Sequence, residues 1–168
     1  MKRTLSLDSI LLFAALLAVL VFPAGSQAAE KGADPGEVLD AAESVFRNMQ
    51  KRDYPALWGG LSAKTRQSIV ASVQKAESKA GRDHAEAEVR TDLETGGRLS
   101  REFWDAYLVQ FNPGTVLEES RWTMGEIKKD RAEIAIRYKK SEHDAILKLF
   151  REGGAWKVGL DETFSTRQ

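Results

Sequence analysis

Apolar residues recur every three or four positions between 37 and 111, then alternate between 116 and 160, so the chain reads as helices followed by strands. Val38, Ala42, Val45 and Met49 form one stripe with Leu39 and Phe46 beside it, which predicts a helix over 37–50. Glu37 and Asp40 fall in its first turn, where the helix dipole favours carboxylates. Arg52-Asp53-Tyr54-Pro55 interrupts the stripe. Asp53 as N-cap and Pro55 in the first turn predict a short second helix carrying Leu57 and Trp58 and ended by Gly59-Gly60. Ser62 is placed to cap a third helix that buries Ile69, Val70, Val73 and Ala76. Over 77–97 charge dominates, and Val89 and Leu93, at i,i+4, predict one loosely attached helix. Ser100 then caps a helix over 101–111 bearing Phe103, Trp104, Tyr107 and Phe111, with Leu108 among them, and Asn112-Pro113-Gly114 stops it.

The period then becomes two. Val116–Ile127 predicts a strand with Trp122 and Met124 on one face. Ala132, Ile134, Ile136 and Tyr138 alternate with polar positions in a second, Ala145–Phe150 forms a third, and Trp156, Val158 and Leu160 a fourth. Gly153-Gly154 marks a tight hairpin between the last two. The fold class is α+β, with N-terminal helices packed on a four-stranded antiparallel sheet.

The N-terminus changes the picture of where this domain works. Lys2 and Arg3 precede 13 uncharged apolar residues, Ile10 to Phe22, and Ser26-Gln27-Ala28 supplies small residues before Ala29. That order predicts a secretory signal peptide over 1–28, since a spanning helix needs roughly 20 apolar residues. A short flexible lead over 29–36 and one domain over 37–165 follow, and the protein is expected in the periplasm or secreted, with no membrane insertion after cleavage. Residues 29–168 carry 23 basic and 24 acidic side chains, a balance that argues against nucleic acid and anionic membrane surfaces as partners. The chain has no cysteine, so burial rather than disulfides must hold the domain together.

Val45-Phe46 followed by Lys51-Arg52-Asp53-Tyr54, then Ala56-Leu57-Trp58 and Leu61-Ser62, forms one recognisable stretch. Asp130 to Ile136, with Phe150 and Gly153-Gly154-Ala155-Trp156-Lys157-Val158, forms another. On these the chain resembles the nuclear-transport-factor-2-like superfamily over about 37–75 and 115–162. The resemblance implies a sheet curved around the helices into a cone with a pocket at its open end. It leaves 77–111 as a helical insert, read as a mobile charged segment leading into an aromatic helix over the mouth of the cone.

Catalysis of the isomerase kind found in that superfamily needs a buried carboxylate facing hydrogen-bond donors. Glu118, Glu126, Glu133, Asp130 and Asp161 match no such arrangement, so no catalytic residue is assigned. Ser72-Val73-Gln74-Lys75 fits an S-x-x-K pattern without the companion motifs that chemistry requires. His84 and Glu88 share a helix spacing, but a zinc site needs three or four ligands. No metal or cofactor is therefore expected. Pocket or interface candidates are Trp58, Phe103, Trp104, Tyr107, Phe111, Trp122 and Tyr138. The reading is an exported, non-catalytic domain binding a small apolar ligand or a partner protein of the cell envelope. The alternatives are a small-molecule lyase or isomerase using the cone pocket, and a structural accessory of an envelope assembly.

Overall fold

The computed structural model describes residues 34–164. The expected signal peptide lies outside the described residues, as does most of the lead. Seven helices and four strands are described: α1 Pro35–Lys51, α2 Tyr54–Gly59, α3 Ala63–Lys79, α4 Glu86–Thr95, α5 Arg98–Gln110, α6 Pro113–Glu118, β1 Ser120–Ile127, β2 Arg131–Tyr138, β3 Ala145–Glu152, β4 Ala155–Gly159 and α7 Leu160–Phe164. The helices pack against one somewhat curled antiparallel sheet, an α+β fold.

Local chemistry sets most helix ends. Asp34 accepts from Gly36 N at 2.9 Å, and Pro35 occupies the first turn, so α1 starts inside the stretch read as flexible lead. Asp53 accepts from Ala56 N at 3.1 Å and Ser62 from Thr65 N at 3.1 Å, as their cap positions predict. The aromatic helix begins at Arg98 rather than 101. Ser100 lies inside it, fully buried, and its N–H donates to Asp92 Oδ1 of α4 at 2.9 Å. Asn112-Pro113-Gly114 ends α5 and starts α6, because Asn112 accepts from Gly114 N while Pro113 suits a first helical turn. The strand read from Val116 thus begins at Ser120. Leu160, read as the end of the last strand, opens α7.

The sheet runs β1-β2-β3-β4. Gly153 and Gly154, at φ of 56° and 85°, make the β3–β4 turn with the positive dihedrals a two-residue hairpin requires. The ladder between β1 and β2 is irregular between Met124 and Ile127. There a Cβ on Gly125 would come within 2.9 Å of Glu133 O, so a bare backbone is needed. The outer edge of β4 is covered by the α2–α3 link, where Val158 N donates to Gly60 O at 2.8 Å and Ser62 N donates to Val158 O at 2.9 Å.

One continuous core lies between helices and sheet. Val38, Ala42, Val45, Phe46 and Met49 of α1 meet Ala132, Ile134 and Ile136 of β2, Leu147 and Leu149 of β3, and Trp156 and Val158 of β4. Segment 77–97 is not a single loose helix. Its first residues complete α3, and Val89 and Leu93 of α4 are both fully buried in the same core. Two aliphatics at i,i+4 suffice because α4 packs against α2, α3 and α5 at once.

Candidate functional site

At one end of the sheet β4 stops at Gly159 while β3 continues toward Ala145. Helix α7 takes up the space: Lys148 N donates to Thr163 Oγ1 at 3.0 Å, and that hydroxyl donates to Gly159 O at 2.6 Å. Beside it opens a cleft of about 250 Å³. Its walls are Phe46 of α1, Phe111 after α5, Val116 of α6, Ile136 of β2 and Leu147 of β3. Ala145 and the β2–β3 loop residues Ser141 and His143 lie at the rim with Tyr138. Among the described residues no Asp or Glu lines it.

Three of the hydroxyls in this lining, those of Ser120, Ser141 and Thr163, are occupied within the protein. Ser120 Oγ donates to Thr115 O at 3.0 Å, Ser141 Oγ to His143 O at 2.9 Å, and Thr163 to Gly159 as above. A hydroxyl already satisfied offers a ligand little, so the interior acts as an apolar surface. Charges near the mouth are paired. Lys139 Nζ lies 2.6 Å from Glu119 Oε2, and its hydrogen bond holds that carboxyl below its ordinary pKa. Arg137 Nε meets Asp144 Oδ1 at 2.5 Å with the same effect on Asp144.

The seven aromatic candidates do not form one wall. Phe111 and Tyr138 line the mouth cleft. Phe103, Trp104 and Tyr107 line a second cleft against α3, of about 260 Å³. Trp58 is 2% exposed in the core and lines neither. Trp122, on the apolar face of its strand, is half-buried: its ring meets Phe46 edge-on at 5.7 Å, and its Nε1 donates to Val116 O at 2.9 Å. The rings nevertheless form a connected row. Phe103, Trp104, Tyr107 and Phe111 succeed one another at centroid distances of 5.0, 5.6 and 5.3 Å, and Phe111 stacks on Phe46 at 6.1 Å. The expectation of an aromatic lid over the mouth is corrected: Trp104 is fully buried, and of the four only Phe111 lines the mouth cleft. Phe46, Val116, Ile136 and Leu147 read in the sequence as core positions, and only the place where β4 stops makes them a wall.

Two polar clusters lie elsewhere. Glu77, almost buried at the end of α3, receives Arg82 Nη2 at 2.6 Å and Arg98 Nη2 at 3.0 Å. Hydrogen bonds from Arg82 and then Arg98 pull its pKa down to about 2. His84 Nε2 lies 3.2 Å from the same carboxylate, and Nδ1 lies 3.8 Å from Glu88. Among the described residues no three His, Cys, Asp or Glu side chains converge as a metal would need. Tyr54, buried on Trp104, donates to Asp105, which also pairs with Arg52 at 2.7 Å. Burial, and then the Asp105 carboxylate, push the Tyr54 phenol up to about 12. Both clusters tie helices together and line neither cleft. Ser72 and Lys75 of the S-x-x-K pattern are exposed, and of the two only Ser72 lines a cleft. Compared with known proteins, the chain matches no family model, no curated protein and no solved structure.

Proposed function

We propose that this protein is an exported, non-catalytic binder of a small apolar ligand, held in the mouth cleft between Phe46, Phe111, Val116, Ile136 and Leu147. The observation that carries the reading is a mainly apolar interior in which the Ser120, Ser141 and Thr163 hydroxyls are already hydrogen-bonded within the protein. Small-molecule sites are concave, mainly apolar and furnished with a few polar groups. Here Tyr138 and His143 at the rim are those groups. Isomerisation of the kind found in the nuclear-transport-factor-2-like superfamily would need a buried carboxylate base aimed at the ligand, and among the described residues no carboxylate lines the cleft. An assembly role would need a broad exposed apolar face on α5. Of the large apolar side chains there only Val109 is exposed, and isolated apolar residues are ordinary.

Export rests on the basic, apolar and small-residue order of the first 28 positions. Among the described residues no helix is long and apolar enough to cross a membrane. The helices-then-sheet order and a cleft at the end of a curled sheet support placing the chain among nuclear-transport-factor-2-like proteins.

Size sets the ligand class. A 150 Å³ apolar cavity admits benzene, so about 250 Å³ admits a body of two fused rings or a chain of similar bulk. Fluorescence titration with 2-naphthol tests the reading, comparing the protein with Ala145→Trp. Ala145 is exposed at the rim, so the indole fills the cleft without entering the core. Saturable binding abolished in the variant, at an unchanged melting temperature, is the expected result. Equal binding by both proteins would refute it.

A further inference from the structure

The second cleft differs from the first in its chemistry. On α3, Thr65, Ser68 and Ser72 follow one another at spacings of three and four, so they share one helical face. Phe103 and Tyr107 of α5, backed by the fully buried Trp104, line the other side, together with Asp161 at the start of α7. Thr65 is occupied: its hydroxyl donates to Glu162 Oε2 at 2.8 Å and accepts from Asp161 N at 3.1 Å. Ser68 and Ser72 make no hydrogen bond within the described residues. The mouth cleft satisfies its serines internally, whereas this one presents two free hydroxyls in a lining shared with the half-buried Phe103 and Tyr107.

We propose that the α3–α5 cleft is a second binding site, for a neutral saccharide ring. A sugar has one face of C–H groups, which packs on aromatic rings, and a perimeter of hydroxyls that both donate and accept. Ser68 and Ser72 match that perimeter, since each serine hydroxyl also donates and accepts. Asp161 adds a carboxylate acceptor, with Lys64 Nζ 3.9 Å away offsetting its charge. The Tyr107 phenol is an O–H donor at neutral pH, as an ordinary phenol is, and burial raises its pKa further. An apolar ligand would cover Ser68 and Ser72 without pairing them, and an unpaired buried hydroxyl is costly. Benzene fits a cavity of 150 Å³, so about 260 Å³ takes one six-membered sugar ring with its hydroxyls, a second ring projecting into solvent.

The test is an amide-shift NMR titration of the protein with cellobiose, maltose and N,N′-diacetylchitobiose, each to about 20 mM, which detects a Kd of a few millimolar. Octanoate serves as the apolar comparison. At least one disaccharide should give saturable shifts at 65–72, 103–107 and 160–161. Replacing both serines (Ser68→Ala with Ser72→Ala) should weaken binding about tenfold or more, the sum of two hydrogen bonds. Alanine favours helix at both sites, so the variant keeps its fold. Silence from all three sugars, octanoate alone moving these resonances, or undiminished binding by the double variant would each overturn the proposal. Tyr138 and His143 report the mouth cleft separately, so the two sites stand or fall independently.

Discussion

Glu77 illustrates how a residue in a charge-rich stretch can be structural. Its carboxylate sits against Arg82, His84 and Arg98, joining the end of α3 to the start of α5. Its folded pKa of about 2 lies below the usual 4.5, so its stabilisation is present above about pH 4.5 and is lost as pH falls toward 2. Thermal melts of the protein and of Glu77→Gln should therefore differ most near neutral pH and converge at about pH 2. A constant gap across that window would refute the assignment. Asp92 makes a second residue-level case. Gly97 precedes α5 without a side chain, and Asp92 accepts Ser100 N in the role of a cap. Asp92→Ala should cost about 1 kcal/mol in chemical denaturation, the usual loss for a cap. Asp53 and Ser62 were legible as caps because their partners lie three residues on. Asp92 was hidden because its partner lies on another helix.

Elements were legible wherever their own periodicity decided them. α1, α2, α3 and β2 through β4 follow from apolar spacing and breakers. α6 does not, since a six-residue helix carries too few apolar positions to show a period, although Asn112-Pro113 holds its start signal. α4 reads as solvated from its charges, and its burial depends on α2, α3 and α5 closing around Val89 and Leu93. The two sheet tryptophans separate what alternation can and cannot tell. Trp156 is 6% exposed, with Arg151 5.9 Å above its ring. Trp156→Ala should cost about 3–5 kcal/mol. Trp122 shares the inward face but lies on an edge strand and stays half-buried, so Trp122→Ala should cost less, about 2 kcal/mol. Equal losses in urea unfolding would contradict the burial difference.

Across the whole molecule, the mouth cleft exists because the C-terminal segment turns from strand to helix at Gly159-Leu160. A Cβ on Gly159 would meet the Phe150 ring at 2.6 Å and Glu162 at 2.9 Å, so glycine lets α7 fold back there. Glu162 then accepts from Ser62 Oγ and Thr65 Oγ1, each at 2.8 Å, fastening α7 to the start of α3 about a hundred positions earlier. Nothing local in the sequence signals that contact, which is why the α+β class was readable and the position of the cleft was not. Phe103, Trp104 and Tyr107 lie on α5, as their spacing predicts, while Phe111, read as the end of the same helix, follows it in extended backbone. Their division between two clefts depends on α5 ending beside Phe46 rather than over the mouth.

The proposed binding of a small apolar ligand in the mouth cleft is open to direct observation. The most direct measurement is an isotope-filtered NOE experiment on ¹³C-labelled protein with 2-naphthol. Contacts are expected from the naphthol protons to the methyls of Val116, Ile136 and Leu147 and to the Phe111 ring, saturating with concentration and lost in Ala145→Trp. Contacts confined to other methyls, or none up to the solubility of the probe, would contradict it.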